Sequence, residues 1–268
     1  MKKQLEKLPF YNSAVLPYHY IQSVVSSVTY GLPGKKLRVI GVTGTNGKST
    51  TCFMIWKMLN NSGRKTGLMT TIAWGVDKLK PELNHMTTSD SFTLNKRIKE
   101  IVDSGAEFLV LEITSHALAE FRILNIPIEI AVFTNLTHEH LDYHKTISRY
   151  RAAKGKLFSR AKFSIINADD SSCGYFQKIA KSYTTYGIKN GENRAKNIKL
   201  SASGVEYSFG DIKIKTKIPG EFNVYNSLAA AVVGQKLGLS KKEIASGINA
   251  LSSVEGRMNL IDEGQPFK

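Results

Sequence analysis

Short apolar runs and amphipathic stretches alternate along the chain from residue 37 to about residue 183. Runs such as LRVIGV and FLVLEI have no regular polar positions, which is typical of strands buried on both faces. Stretches such as SDSFTLNKRIKEIVDSG have apolar residues at helical spacing, with Ser89 as the expected N-cap and Gly105 just after the helix. Because buried strands alternate with helices, the pattern predicts an α/β fold, a mostly parallel sheet with helices on both faces.

The pattern changes after residue 183. YTTYG, NIKLS, GVEYSFG and IKIKTKI are short, alternating and joined by Gly/Asn turns, so they predict a small antiparallel strand set in the C-terminal half. Two helices, FNVYNSLAAAVVGQKLG and SKKEIASGINAL, are expected to follow. At the other end, Ile21, Val24, Val25 and Val28 lie at helical spacing within the first 35 residues. A segment of that length is too short for a domain, and we expect a helix packed on the main body.

Composition excludes several classes of protein. The chain has 268 residues, 42% hydrophobic and 22% charged, which is typical of a globular protein and not of a disordered or fibrous one. Two cysteines without metal-like spacing exclude a disulfide scaffold and indicate a reducing compartment, so we expect a cytoplasmic protein. No apolar run reaches 18 residues and the basic N-terminus lacks an uninterrupted apolar region, so neither a membrane span nor a signal peptide is expected.

The formal net charge of +15 is the strongest compositional feature. Residues 145–217 contain sixteen Lys or Arg and five Asp or Glu, so most of the excess lies there. Such an excess fits a nucleic-acid partner, a polyanionic small molecule or a solvated basic face without a partner. The basic residues are scattered singly, with no Arg-rich tract and no aromatic RNA-binding motif, so we expect no nucleic-acid partner and leave the other two interpretations open.

The segment GVTGTNGKSTT, residues 41–51, lies between a predicted strand and a predicted helix. In that context glycines let backbone N–H groups close around phosphate oxygens, and the helix N-terminus adds positive potential. Lys48 is placed to pair with the β- and γ-phosphates, and the Ser49 hydroxyl to bind Mg²⁺. Val42 departs from the strict phosphate-loop pattern, which has glycine there. The segment predicts a site for ATP or GTP.

Polar residues also end two other predicted strands. Glu112 closes FLVLEI, and Thr134 and Asn135 follow IEIAVF, so all three are expected at the edge of the sheet where the phosphates bind. Glu112 is a candidate Mg²⁺ ligand, directly or through water. The next segment, THEHLDYH, concentrates titratable side chains, which fits a metal site, acid–base chemistry or a polar loop; they are His138, Glu139, His140, Asp142 and His144.

Seven segments resemble, in order and spacing, the Mur ligases, the ATP-dependent amide ligases that build the stem peptide of peptidoglycan. The segments are GVTGTNGKSTT, MTTSDS, LEITSHALAEFR, FTNLTHEHLDYH, YRAAKGKLF, GEFNVYNSLAA and VEGRM, and they extend from about residue 37 to residue 257. They are most similar to the branch that adds the third residue to UDP-N-acetylmuramoyl-L-alanyl-D-glutamate. TSHALAEFR and HEHLDYH favour this branch over the folylpolyglutamate synthases, which are similar through the phosphate loop.

The resemblance implies a role for each matching residue. The ATP site would comprise Gly44, Thr45, Asn46, Gly47, Lys48, Ser49 and Thr50, with Asn223 and Asn226 on the adenine side and Arg257 near the phosphates. The Mg²⁺ ligands would be Ser49, Glu112, His140 and Lys154, the last as a carbamylated lysine. The UDP-muramoyl-dipeptide would contact Thr87, Thr88, Thr114, Glu120 and Arg122. Catalysis through an acyl phosphate would depend on Lys48, Glu112, His140 and Lys154.

The chain departs from the family pattern in the segments that would contact substrate. Ser89 replaces a proline, Met86 replaces a polar residue, and Thr114 and Glu120 replace an expected Ser and Gln. Because none of these positions lies in the phosphate loop, the departures bear on substrate specificity and not on ATP chemistry.

The resemblance also implies a domain organisation. We expect an N-terminal helical segment over residues 1–35, a central ATP-binding domain over 36–257 and the start of a C-terminal domain over 258–268. With uridine-binding and amino-acid-binding domains outside the chain, we expect a monomer that binds ATP–Mg²⁺ weakly and does not ligate. The alternatives are another Mur-type or folylpolyglutamate-type ligase, or a non-catalytic ATP-binding module. Whether the added residue is diaminopimelate or lysine stays open.

Overall fold

The computed structural model describes residues 11–82, 88–139, 141–254 and 256. The strands are β1 (Arg38–Thr43), β2 (Thr66–Met69), β3 (Ala73–Gly75), β4 (Leu79–Pro81), β5 (Phe108–Glu112), β6 (Ile128–Phe133), β7 (Phe163–Asn167), β8 (Tyr183–Gly187), β9 (Asn193–Ser201), β10 (Gly204–Phe209) and β11 (Ile212–Thr216). The helices are α1 (Tyr11–Thr29), α2 (Lys48–Asn61), α3 (Ser91–Asp103), α4 (Ser115–Ala119), α5 (Leu141–His144), α6 (Ile147–Arg160), α7 (Cys173–Ile179), α8 (Phe222–Lys236) and α9 (Lys241–Asn249), with a 3-10 turn at Pro33–Lys36.

The strands form one eleven-stranded sheet in the order β11-β10-β9-β8-β7-β6-β1-β5-β2-β3-β4. The strands from β2 to β9 in that order pair in parallel, and antiparallel strands close both edges. The predicted α/β class, with a small antiparallel set in the C-terminal half, is therefore confirmed. The second antiparallel set, β2-β3-β4, was not predicted.

One detail of the predicted strands is wrong. YTTYG forms β8, which pairs in parallel with β7 because α7 carries the chain across one face before it returns to the sheet. The segment TGLMTTIAW forms β2 and β3, which pair antiparallel. The chain turns between them because the Thr70 hydroxyl accepts hydrogen bonds from the backbone N–H groups of Ile72 and Ala73.

Helices cover the sheet on both faces, as predicted. On one face α2, α8 and α9 contribute core residues such as Met54, Leu228 and Ile244. On the other face α3 and α6 contribute Leu94 and Leu157, both fully buried, and α7 adds further apolar side chains to the same core. Because the central strands lie between two apolar layers, their sequences are continuous apolar runs without alternating polar positions.

Helix α1 packs on the main body, as expected from its spacing. Asn95 of α3 donates a hydrogen bond to the Ser26 hydroxyl at 3.0 Å, and Asn125 donates one to the Ser27 hydroxyl at 2.6 Å. The expected N-cap of α3 was wrong by one residue: the Asp90 carboxylate, and not Ser89, accepts the backbone N–H bonds of the first turn. Among the described residues, no helix is long and apolar enough to cross a membrane.

Candidate active site

The phosphate-loop segment connects β1 to α2 at the centre of the sheet. Gly47 precedes the helix with a φ of 80°, in the left-handed region, and as the N-cap residue it provides no capping side chain. A Cβ atom on Gly47 would lie 2.2 Å from the Asn226 side-chain oxygen, and one on Gly44 would lie 1.9 Å from the Thr134 hydroxyl. Glycine is therefore required at both positions by close packing, and the free helix N-terminus is suited to an anion.

Residues after β6 hold the loop in place. The backbone N–H of Thr45 donates to the Asn135 carbonyl at 2.8 Å, and that of Asn46 donates to the Asn135 side-chain oxygen at 2.9 Å. The Thr134 hydroxyl donates to the Asn46 carbonyl at 2.7 Å. The strand-end residues Thr134 and Asn135 therefore lie at the phosphate loop, as predicted.

Helix α8 contacts the loop from the opposite side. The Asn226 side-chain oxygen accepts a hydrogen bond from the Thr51 hydroxyl at 3.3 Å, and its amide donates to Asn223 at 2.9 Å. Asn223 in turn donates to the Pro219 carbonyl at 2.6 Å. The two asparagines expected on the adenine side therefore lie in one hydrogen-bonded chain beside Gly47.

A cavity of about 610 Å³ opens over the loop. It is lined by Thr45, Asn46, Gly47, Lys48, Ser49, Thr50, Asn135, Thr137, Ile218, Phe222, Asn223, Asn226 and Gly256. A second cavity of about 300 Å³ adjoins it and shares Asn46, Gly47, Asn135, Phe222 and Asn226. The volume of the first cavity lies within the range of ordinary ligand sites, and its polar side is the helix N-terminus.

Glu112 connects the loop to the neighbouring strand. Its carboxylate is buried and accepts hydrogen bonds from the Ser49 hydroxyl at 2.9 Å and from the backbone N–H of Thr71 at 3.1 Å. A hydroxyl and a carboxylate are the hard oxygen ligands that Mg²⁺ prefers. In the described part of the chain, no three His, Cys, Asp or Glu side chains cluster as a complete metal site.

Two lysines approach the loop with their ammonium groups. Lys48 donates to the Thr45 carbonyl at 2.7 Å, and Lys154 of α6 donates to the Gly44 carbonyl at 2.8 Å. Lys154 is only 1% exposed, and its amine lies 4.5 Å from the centre of the Tyr150 ring. Burial, and then the charge of Lys48, hold the pKa of Lys154 well below its ordinary value. Its neutral form is therefore more populated than that of a solvent-exposed lysine at the same pH.

The residues expected to contact the muramoyl-dipeptide lie next to Glu112. The Thr88 hydroxyl donates to the Glu112 carbonyl at 3.2 Å and lies 3.4 Å from the Thr114 hydroxyl. Arg122 donates to the Thr88 carbonyl, and its guanidinium also donates to the Glu120 carboxylate at 2.6 Å. Four of the five predicted substrate residues therefore form one group, joined to the phosphate loop through Glu112.

Three of the predicted site residues lie outside the described part of the chain: Thr87, His140 and Arg257. The other predicted residues converge on one edge of the sheet, at the carboxyl ends of β1, β5 and β6.

Comparison with known families decides what kind of site this is. The family model of the Mur ligase middle domain matches residues 42–234, which include the phosphate loop, Glu112 and Asn226. The chain belongs to the Mur ligase family.

Individual relatives agree with that assignment. This Mur ligase middle domain is 41% identical over 261 residues to the UDP-N-acetylmuramoyl-L-alanyl-D-glutamate–2,6-diaminopimelate ligase of Bacillus velezensis and 39% identical to that of Geobacillus kaustophilus; each alignment covers 91% of this chain and 53% of the relative. A solved structure named as the same ligase superposes with a TM-score of 0.77 at 28% identity, covering 91% of this chain and 52% of that one. The chain spans about half the length of the curated relatives it matches.

Two residues of this Mur ligase site were missed by sequence reasoning. Thr71 holds the Glu112 carboxylate through its backbone N–H, which no side-chain motif signals. Tyr150 lies one helical turn before Lys154, and its hydroxyl is 3.3 Å from the Thr45 hydroxyl. The i, i+4 spacing of Tyr150 and Lys154 on a helix could have predicted that Tyr150 lies beside Lys154 in the site.

Proposed function

We propose that this chain is the ATP-binding core of an amide ligase that adds the third amino acid to UDP-N-acetylmuramoyl-L-alanyl-D-glutamate. The observation that carries the proposal is the position of Glu112. Its carboxylate bonds Ser49 of the phosphate loop, and its carbonyl bonds Thr88 of the substrate group. Such an arrangement brings a bound nucleotide's terminal phosphate next to a bound substrate's carboxylate, and phosphoryl transfer depends mainly on that positioning.

The proposed reaction has two steps. The substrate carboxylate oxygen attacks the γ-phosphorus of ATP, the bond from that phosphorus to the bridging oxygen breaks, and an acyl phosphate and ADP form. The amino group of the incoming amino acid then attacks the acyl carbon, loses a proton and expels inorganic phosphate. In the first step Lys48 and the N–H groups at the start of α2 offset the negative charge on the phosphates, while Arg122 orients the substrate.

We further propose that Ser49 and Glu112 hold Mg²⁺, together with His140 and a carbamylated Lys154. When bound, Mg²⁺ neutralises charge on the transferring phosphoryl group. The buried amine of Lys154 supports the modification, because only a neutral amine attacks CO₂; the new N–C bond forms and the amine proton leaves. The carbamate replaces a cation with an oxygen ligand beside Gly44.

The added residue is proposed to be diaminopimelate. The names of the relatives from Bacillus velezensis and Geobacillus kaustophilus specify 2,6-diaminopimelate as the amino acid that is ligated. Their 41% and 39% identity with this chain supports the same choice.

Calorimetric titration of the chain with ATP and Mg²⁺ tests the nucleotide site. We expect binding that requires Mg²⁺ and is lost in Lys48→Ala, because Lys48 lies at the phosphate end of the cavity. Lys57→Ala, on the partly exposed side of the same helix α2, is the matched control and should bind as the unchanged chain does. Equal loss in both variants, or Mg²⁺-independent binding, would contradict the proposed site.

The substrate side is tested by titrating UDP-N-acetylmuramoyl-L-alanyl-D-glutamate in the presence of ADP and Mg²⁺. We expect the affinity to fall at least about tenfold in Arg122→Ala, the usual effect of removing one charge-assisted hydrogen bond. Arg160→Ala is the control, since Arg160 bonds the carbonyl groups of Ile123 and Leu124 and not the Thr88 group. Tight binding of a folate polyglutamate in place of the muramoyl-dipeptide would favour the folylpolyglutamate-type alternative.

A further inference from the structure

The outer face of strands β9, β10 and β11 carries exposed cations on β9 and along β11, on either side of Glu206 and Ser208 of β10. Alternation along β11 turns Ile212 and Ile214 into the core and leaves the lysines between and after them exposed. Register pairs Lys213 with Ser208, and Ser208 with Lys196; it likewise pairs Lys215 with Glu206, and Glu206 with Lys199. The exposed cations of this face, called the lysine face below, are Arg194, Lys196, Lys199, Lys213, Lys215 and Lys217.

An irregularity in β9 keeps these cations together. Lys196 and Lys199 are three residues apart, so in a regular strand they would point to opposite faces of the sheet. The pairing of β9 with β10 shifts between Glu206 and Ser208, and Asn197 has a φ of 55°, in the left-handed region. This bulge inserts one extra residue and returns Lys199 to the face that Lys196 occupies.

The lysine face is not neutralised by the protein. In the described residues none of its five lysines forms an ion pair, and Glu206 is the carboxylate among them. Two other carboxylates at its margins have partners elsewhere: Glu192 bonds Thr184, and Asp211 bonds Lys241. The opposite side of the same strands packs on the core beneath α8 and α9. One side of these strands is therefore apolar and buried, and the other is charged and exposed.

The side chains of the lysine face indicate which class of partner it binds. Protein interfaces are centred on apolar or aromatic anchors, and the outward positions of β10 and β11 hold Lys, Ser and Glu. Single-stranded nucleic acids need stacking aromatics, and this face has none at its outward positions. Five of the six cations are lysines, compact charges that interact with a diffuse array of anions and do not form the bidentate contacts of arginine.

We propose that the lysine face docks on the surface of an anionic phospholipid bilayer. Cations lie about 7 Å apart along each strand and about 10 Å apart from β9 to β11, so several headgroups can be engaged at once. Such binding needs no apolar insertion, because each lysine near an anionic surface adds independently to the attraction. The face lies at the sheet edge, away from the phosphate loop at the sheet centre, so docking leaves the nucleotide cavity open.

Cosedimentation of the chain with vesicles tests the proposal. At low ionic strength we expect binding to vesicles of phosphatidylglycerol mixed with phosphatidylcholine, none to pure phosphatidylcholine, and release by added salt. The variant Lys196→Glu/Lys199→Glu/Lys213→Glu/Lys215→Glu should reduce the partition coefficient by roughly a hundredfold or more. A matched control, Lys35→Glu/Lys36→Glu/Lys78→Glu/Lys96→Glu, makes the same change of net charge at exposed lysines elsewhere and should reduce it far less.

Each alternative result overturns the proposal. An equal loss in both quadruple variants would mean that net charge, and not this face, attracts the vesicles. Tighter binding to a DNA duplex than to anionic vesicles at the same salt concentration would assign the face to nucleic acid. ATP titration of the same variants checks folding and is independent of the result, because the four substituted lysines of the face do not line the nucleotide cavity.

Discussion

Substitution of Gly47 measures how tightly the phosphate loop is packed against α8. Gly47→Ala places an L residue at a φ of 80°, which costs about 1–2 kcal/mol. Its Cβ atom would also lie 2.2 Å from the Asn226 side-chain oxygen, a buried acceptor bonded by Thr51. Displacing that oxygen should cost about 1–3 kcal/mol more, the range for an unsatisfied buried polar group. We therefore expect a total loss of roughly 2–5 kcal/mol in the free energy of unfolding.

Gly63 provides the matched control at the other end of the same helix. It has a φ of 77°, and nothing lies within 4 Å of an added Cβ, so Gly63→Ala should show the backbone cost alone. Urea unfolding followed by the fluorescence of Trp56, within α2, gives both values. In an Asn226→Ala background the contact is absent, and Gly47→Ala should then cost no more than Gly63→Ala. Equal costs for the two glycine substitutions in the unchanged chain would refute the reasoning.

Three further predictions concern buried charges. When it is not carbamylated, Lys154 binds its proton less readily in the folded than in the unfolded chain. The free energy of unfolding should therefore rise with pH between the lowered pKa of Lys154 and 10.5, measured without CO₂. Lys154→Met should remove that slope in urea midpoints measured across pH. Glu112→Gln should weaken Mg²⁺-dependent ATP binding at least about tenfold, measured by calorimetry, because the amide is a poorer Mg²⁺ ligand than the carboxylate. Arg97→Met removes the guanidinium that pairs with the buried Glu82 carboxylate. It should lower the free energy of unfolding in urea by about 3–5 kcal/mol. Arg38→Met is the control and should lower it by under about 1 kcal/mol, because the pair of Arg38 with Glu129 is exposed. Similar costs for the two arginines would contradict the last prediction.

The sequence was most informative where local pattern and function coincide. A buried strand, a glycine loop and a helix in succession predicted the phosphate loop, and the structure places Gly44 and Gly47 where no side chain fits. Glu112 was predicted at the same edge because it ends a buried strand, and it bonds Ser49. The first signal is short-range, since the loop and the strand that precedes it are joined by the chain itself. The second rests on the rule that parallel strands end at the same edge of a sheet, which places Glu112 near Ser49 although they are 63 residues apart.

Long-range strand pairing and local backbone turns could not be predicted from the sequence in the same way. The direction of β8 depends on how α7 crosses the sheet, and the break after β2 depends on a turn at Thr70. The hydrogen bond from the backbone N–H of Thr71 to the Glu112 carboxylate joins residues 41 apart, and neither residue type indicates it. The domain boundaries, the monomeric state and the roles of Thr87, His140 and Arg257 stay predictions.

The contacts that hold the phosphate loop have a consequence for folding. Thr134 and Asn46 are 88 residues apart, and Thr51 and Asn226 are 175 apart, yet both pairs are bonded across the loop. Contacts of such separation form late, because much of the chain must be ordered before they close. We therefore expect the loop to be completed only when both halves of the sheet have assembled. Nucleotide added during refolding should stabilise the finished domain, by about 2.7 kcal/mol at a hundred times its Kd, without accelerating the earlier steps.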